Sequence, residues 1–162
     1  MKINKLIAII TSLLITTAVI SCGKKDSNSP KVEQISSDAD KRILGNWFLF
    51  KIPVINDSTG LTIPNHYLTT VMKVENNELT FINSFDNNGI VYCTVQASTN
   101  NFKISKDTIE LKQDLSAENT QGGFSCKNKV KSFNSKYALE SDDILVLTNV
   151  ESNDVIKINR VK

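Results

Sequence analysis

His66 is the single histidine of this 162-residue chain and stands in Pro64-Asn65-His66-Tyr67. A hydrolytic triad needs such an imidazole beside a nucleophile and a carboxylate. No Gly-x-Ser-x-Gly turn supplies the nucleophile, and serine and aspartate are too frequent here to single one out. His66 therefore reads as an ordinary residue near the start of a strand. Cys93 and Cys126 with His66 would make three zinc ligands, but the short ligand spacings of zinc motifs are missing. Gln121-Gly122-Gly123-Phe124-Ser125 is glycine-rich like a phosphate-cradling loop, yet no Lys-Ser/Thr follows, so it reads as a flexible turn before Cys126. Glu140, Asp142 and Asp143 fall in an expected hairpin turn and read as solvated carboxylates rather than an acid–base pair or a calcium loop. No metal, cofactor or catalytic constellation is expected, and the chain reads as a non-enzyme.

The N-terminus is more informative. Lys2 and Lys5 precede an apolar run of 15 residues from Leu6 to Ile20, interrupted by Thr11, Ser12, Thr16 and Thr17. That run is short for a bilayer span, which takes about 20 apolar residues, and its charged start marks a secretory signal. It ends in Val19-Ile20-Ser21-Cys22-Gly23. This segment resembles the lipobox of bacterial lipoproteins. The resemblance implies a signal peptide over residues 1–21, cleavage after Ser21, and a diacylglycerol on the Cys22 thiol. Gly23 stands where an inner-membrane retention aspartate would be. The expected position is the cell envelope, lipid-anchored at the outer membrane and facing the periplasm.

Without residues 1–21, 141 residues remain, with 17 basic against 17 acidic. A neutral chain offers no basic patch for nucleic acid, and its length fits one domain. Cys93 and Cys126 are then a pair in an oxidising compartment, where disulfides persist. Two buried thiols or a metal pair are the other readings, because sequence does not show that the side chains meet.

Residues 22–37, with Ser27, Asn28, Ser29 and Pro30, read as the lipidated cysteine and a flexible tether. The domain is expected over 38–162. Ser37 with Asp40 can cap a short helix that Gly45 ends. Beyond it the apolar period is two. Tyr67–Val74, Leu79–Phe81, Val91–Val95 and Ile144–Leu147 are rich in β-branched and aromatic residues, and Asn pairs at 76–77, 87–88 and 100–101 punctuate them. Apolar residues at offsets 0, 2, 7 and 9 recur as Met72-Val74-Leu79-Phe81, Phe102-Ile104-Ile109-Leu111 and Tyr137-Leu139-Ile144-Val146, each reading as a hairpin with one inward face. With a last strand over Val155–Val161, this predicts an all-β, small antiparallel meander barrel of about eight or nine strands.

With the strands placed, Leu44-Gly45-Asn46-Trp47-Phe48-Leu49 resembles the Leu-Gly-x-Trp opening of lipocalin-like and META-domain envelope lipoproteins. The segment from Tyr137 through Asp143–Thr148 to Ile158-Asn159-Arg160 is similar to their last hairpin and strand. Gly89 with Cys93, then Cys126, is compatible with the META pattern. Thr94 replaces the asparagine that usually follows the first META cysteine, and the stretch from Cys126 to Tyr137 is too short for the META helix. The lipocalin-like reading is therefore preferred over META proper.

That resemblance implies that Trp47 closes the narrow end of the barrel; the other reading has it lining a cavity with Phe48, Phe50 or Phe81. The function expected is non-enzymatic binding of a small apolar ligand or envelope component, with the membrane as partner through Cys22 and no nucleic acid. The alternative is a protein-binding periplasmic inhibitor or immunity factor, with Asp114–Phe124 as its contact loop and a solid barrel behind it.

Overall fold

The computed structural model describes residues 34–56 and 58–162; the signal segment 1–21, Cys22 and the tether as far as Glu33 lie outside the described residues. Eleven strands follow one another: β1 Gly45–Ile55, β2 Thr62–Val74, β3 Leu79–Asn87, β4 Ile90–Thr99, β5 Phe102–Ile104, β6 Thr108–Leu111, β7 Leu115–Gln121, β8 Phe124–Val130, β9 Phe133–Ser141, β10 Ile144–Asn149 and β11 Val155–Arg160. Nine form one antiparallel sheet in the order β4-β3-β2-β1-β11-β10-β9-β6-β5, curled into a half-barrel. The expected all-β antiparallel architecture is what the chain adopts. Its strand order is not the sequence order, because β11 returns to pair with β1 and β7–β8 stand apart as a two-stranded sheet.

Two of the three repeated hairpins form in the expected register. Met72 faces Phe81 and Val74 faces Leu79; Phe102 faces Leu111 and Ile104 faces Ile109. The third slips. A bulge leaves Glu140 unpaired, so Leu139 meets Leu145 and Tyr137 meets Leu147. One extra residue exchanges the two faces of a strand. The buried pair is accordingly Leu145 and Leu147, not Ile144 and Val146.

The expected short helix capped by Ser37 is instead a single 3-10 turn, Lys41–Ile43, capped by Asp40, whose carboxylate accepts from the Arg42 amide. Leu44 is already extended, and the Ile43 carbonyl accepts a 2.7 Å bond from the Trp47 indole. That carbonyl is no longer free for a helical ladder.

This turn closes one end of the half-barrel. Trp47 is fully buried there, opposite Met72 on β2 and Arg160 on β11. The Arg160 guanidinium lies 4.3 Å from the centre of the Trp47 ring. It also donates to the carbonyls of Leu44 at 2.8 Å, Asp142 at 2.7 Å and Arg42. Gly45 has φ +130°, and a methyl group there would sit 2.4 Å from the guanidinium nitrogen. The backbone conformation demands glycine, and any side chain here would also push the guanidinium off its carbonyl partners.

Antiparallel alternation places the β1–β2, β3–β4 and β10–β11 turns at the opposite, open end. The β7–β8 hairpin turns through Gly122 (φ 57°) and Gly123 (φ 84°), the paired positive values of a type I′ turn. Its tip reaches the open end too, where Phe124 packs on Tyr92 with ring centres 5.1 Å apart. Cys93 of β4 and Cys126 of β8 stand at disulfide distance, Cα–Cα 6.5 Å, and join the hairpin to the main sheet.

Gly45→Ala is expected to destabilise the fold by about 2–3 kcal/mol, read as a lowered urea midpoint at unchanged slope. Replacing Cys93 and Cys126 together by alanine removes a loop constraint of about 3–4 kcal/mol on the chain-entropy model. Amide exchange should then rise in β7 and β8 before it rises in β1, β2 or β11.

Candidate ligand cavity

Between the Trp47 layer and the open end the half-barrel holds an open cavity of ≈ 470 Å³. Its existence begins with a bulge in β1. Phe48 pairs with Val71 and Phe50 with Thr70, leaving Leu49 as the extra residue. The bulge moves Phe50 onto the face that Trp47 occupies below it, and both Leu49 and Phe50 line the cavity. Leu68 and Met72 of β2, Phe81 of β3, Phe133 of β9 and Leu147 of β10 complete the apolar wall. The hairpin closes the remaining side with Val130.

A few polar groups interrupt this wall. Thr70, on the inward face of β2, donates its hydroxyl to the Asn83 side-chain carbonyl at 2.8 Å. Asn128 of β8 is almost wholly buried and donates its amide to the Phe81 carbonyl at 2.8 Å. This bond, the Asn119 bond to the Thr94 carbonyl at 2.7 Å and the cysteine pair hold the hairpin on β3 and β4. Asn83 and Ser135 line the cavity, and the Asn83 amide nitrogen and Ser135 hydroxyl have no protein hydrogen-bond partner among the described residues. These groups remain available to a bound molecule. Apolar walls with a small number of convergent polar groups are the chemistry of a pocket that orients a ligand by contact and hydrogen bonding.

The rim is charged. Lys131 pairs with Asp114 at 2.7 Å, and the Ser132 amide donates to the same carboxylate at 2.8 Å. The hydrogen bond from Lys131 and then that from Ser132 pull the Asp114 carboxyl down to about 2, and Asp114 in turn raises Lys131. This clasp joins the start of β7 to the end of β8. Lys129 and Asp154 stand elsewhere on the rim.

The aromatic candidates divide. Phe50 and Phe81 line the cavity; Trp47 seals its floor from outside the lining, and Phe48 lies on the opposite face of β1, half-buried. His66 lies within β2 near the open end, its Nδ1 2.8 Å from the Pro64 carbonyl and its ring edge against Tyr92. Cys93 and Cys126 join each other, and no group of three metal-ligating side chains occurs among the described residues. Glu140, Asp142 and Asp143 are exposed and pair with Lys157, Arg42 and Lys162. Asp114–Phe124 is not a protruding loop but β7 of the packed hairpin, because its strand pairs from Leu115 to Gln121 with β8. Thr70, Asn83, Asn128 and Ser135 were not singled out by sequence; period two counted from Met72, Phe81, Cys126 and Tyr137 places each on an inward face.

No family model matches the chain, and neither a curated protein nor a solved structure is significantly similar to it.

Asp114 has its carboxyl held below the ordinary value in the folded state. Its contribution is present above about pH 4, the unfolded value, and is lost as pH falls through about 2. Asp114→Asn is therefore expected to be less stable than wild type at neutral pH. It should also lose less stability between pH 5 and 2, measured by denaturant unfolding at each pH.

Proposed function

We propose that this chain is a lipid-anchored lipoprotein of the bacterial envelope whose half-barrel carries a small, largely apolar molecule. The observation that carries the reading is the ≈ 470 Å³ cavity with its apolar wall and unpaired amide and hydroxyl groups. That volume falls within the range of about 300–1,000 Å³ common for small-molecule sites.

The envelope assignment draws on Val19-Ile20-Ser21-Cys22 and the tether behind it. Lipidation at Cys22 supplies the membrane anchor, and the outer membrane facing the periplasm is the position proposed. The lipocalin-like reading draws on Gly45-Asn46-Trp47 at the closed end, with Arg160 stacked on the indole.

A second reading, a protein-binding inhibitor or immunity factor, draws on one observation. The β7–β8 hairpin is tied to β4 and carries Phe124 exposed at its tip, a rigid presentation suited to entering a partner's cleft.

Mass spectrometry of the protein purified in mild detergent from bacterial membranes separates these readings. The denatured mass should show cleavage before Cys22 and an added diacylglycerol. The native mass should carry a further stoichiometric adduct that denaturation removes. Val130→Trp, which projects bulk into the cavity, should lower adduct occupancy about tenfold, equivalent to 1.4 kcal/mol of binding, with the thermal midpoint little changed. Equal native and denatured masses for wild type would transfer support to the inhibitor reading.

A further inference from the structure

Polar side chains buried among apolar ones cost free energy unless hydrogen bonds meet them. Three such side chains line the cavity: Asn83 of β3, Asn128 of β8 and Ser135 of β9 are 8 %, 1 % and 7 % exposed. Each has hydrogen-bonding capacity to spare among the described residues. Thr70 donates to the Asn83 side-chain carbonyl, which leaves the Asn83 Nδ2 over. A backbone carbonyl only accepts, so the Asn128 amide nitrogen is the end that faces the Phe81 carbonyl, and Oδ1 is left over. The Ser135 hydroxyl adds a group that can donate or accept. Among the described residues no side-chain nitrogen or oxygen is both sealed from solvent and unpaired. The three free groups therefore open onto the cavity that their residues line.

Strand register sets the level of this polar belt. Asn83 pairs with Thr70 and Thr70 with Phe50, one step toward the open end from Phe81, Met72 and Trp47. Ser135 pairs with Asn149, one step in the same direction from Tyr137 and Leu147. The charged residues that line the cavity, Lys129, Lys131 and Asp154, are all exposed at its rim. Lys131 is held by Asp114 at 2.7 Å, and Asp154 accepts from the Ser152 hydroxyl at 2.7 Å. The belt itself is uncharged. A carboxylate placed there would face the Asn128 Oδ1 with no cation beside it, and an ammonium would face the Asn83 Nδ2 with no anion. Burying either ion costs far more than the hydrogen bonds it would gain.

We propose that the molecule carried in this cavity is uncharged and bears one group that both accepts and donates a hydrogen bond, a hydroxyl or a primary amide, set at the belt. The Asn83 Nδ2 donates to that group, the Asn128 Oδ1 accepts from it, and Ser135 takes whichever bond remains. The rest of the molecule is apolar, to match the wall. The inference rests on the carrier reading and narrows it, because carboxylic acids and ethers of the same size are then poor ligands. A site built to hydrogen-bond a hydroxyl rejects the analogue that lacks it, since its own buried groups are left unpaired.

The described core runs from Ile35 to Ile158 and the eleven strands from Gly45 to Arg160. Residues 23–162 therefore contain the whole fold and are used in water, free of detergent and lipid. Calorimetric titration at neutral pH compares three probes of similar size: 1-octanol, its isomer 1-methoxyheptane, which accepts but cannot donate, and octanoate. 1-Octanol should bind about tenfold more tightly than either of the others, the effect of one buried partner left unmatched. In nitrogen-15 spectra the side-chain amide signals of Asn83 and Asn128 should shift on adding 1-octanol. Equal affinity for 1-octanol and 1-methoxyheptane would overturn the proposal, because the belt would then read no hydroxyl. Octanoate binding as tightly as 1-octanol would overturn it too and place the ligand's head at Lys129 on the rim. If none of the three bound, the carrier reading itself would fall, and this inference with it.

Discussion

One guanidinium holds the closed end of this barrel together. The sheet is weakest where its first and last strands meet, because β1 and β11 share a ladder of only two residue pairs, Trp47 with Arg160 and Phe48 with Asn159. Without reinforcement the nine strands would part there into β4–β1 and β11–β5. Arg160 bridges the gap with donors to three carbonyls, on the 3-10 turn, on Leu44 and on the β9–β10 turn, while its flat face covers Trp47. A lysine at this place would offer one point charge and no planar face, so it could not reach three fixed acceptors and stack at once. Gly45 leaves the space that the guanidinium fills.

Fixing one end tightly leaves the other free to be open. Above the Trp47 layer the β1 bulge and the concavity of the sheet leave more room than the inward side chains occupy. The β7–β8 hairpin does not join the main ladder; it lies across β3 and β4 as a separate wall, held by Asn119, Asn128 and the cysteine pair. A wall attached by side chains rather than by a backbone ladder can enclose a cavity without filling it. The same attachment explains why a covalent tie sits there. A hairpin without a continuous ladder to its neighbour is the segment most ready to open, and joining Cys126 to Cys93 removes the freedom that opening would release.

What the sequence made legible was local. Strand positions, turn asparagines such as Asn88, and two of three hairpin registers follow from period two and from turn chemistry, both of which act within about ten residues. The third register failed because Glu140 bulges out, and nothing in Glu140-Ser141-Asp142-Asp143 distinguishes a four-residue connector from a bulge and a tighter turn. The expected helix stops at a single turn because Trp47, four residues beyond Ile43, takes the carbonyl that a longer helix would use. The cavity was harder still. Its wall gathers residues from β1, β2, β3, β8, β9, β10 and β11, and a void is defined by side chains that fail to reach one another. Periodicity says which face a residue occupies, not how far it stands from the face opposite. Phe50 and Phe81 could be named as candidates, while Thr70, Asn83, Asn128 and Ser135 look like ordinary polar residues until their inward faces are seen together.

The division of the molecule into a polar-clasped closed end and an apolar open end bears on how the chain meets its surroundings. Apolar hairpin ends, free in water, invite association between copies. The closed end carries no such liability, because the carbonyls of Arg42, Leu44 and Asp142 are each met by Arg160. At the open end the apolar lining of the cavity continues to its mouth through Phe50 and Ile156, so covering the mouth and filling the cavity are one problem of apolar burial.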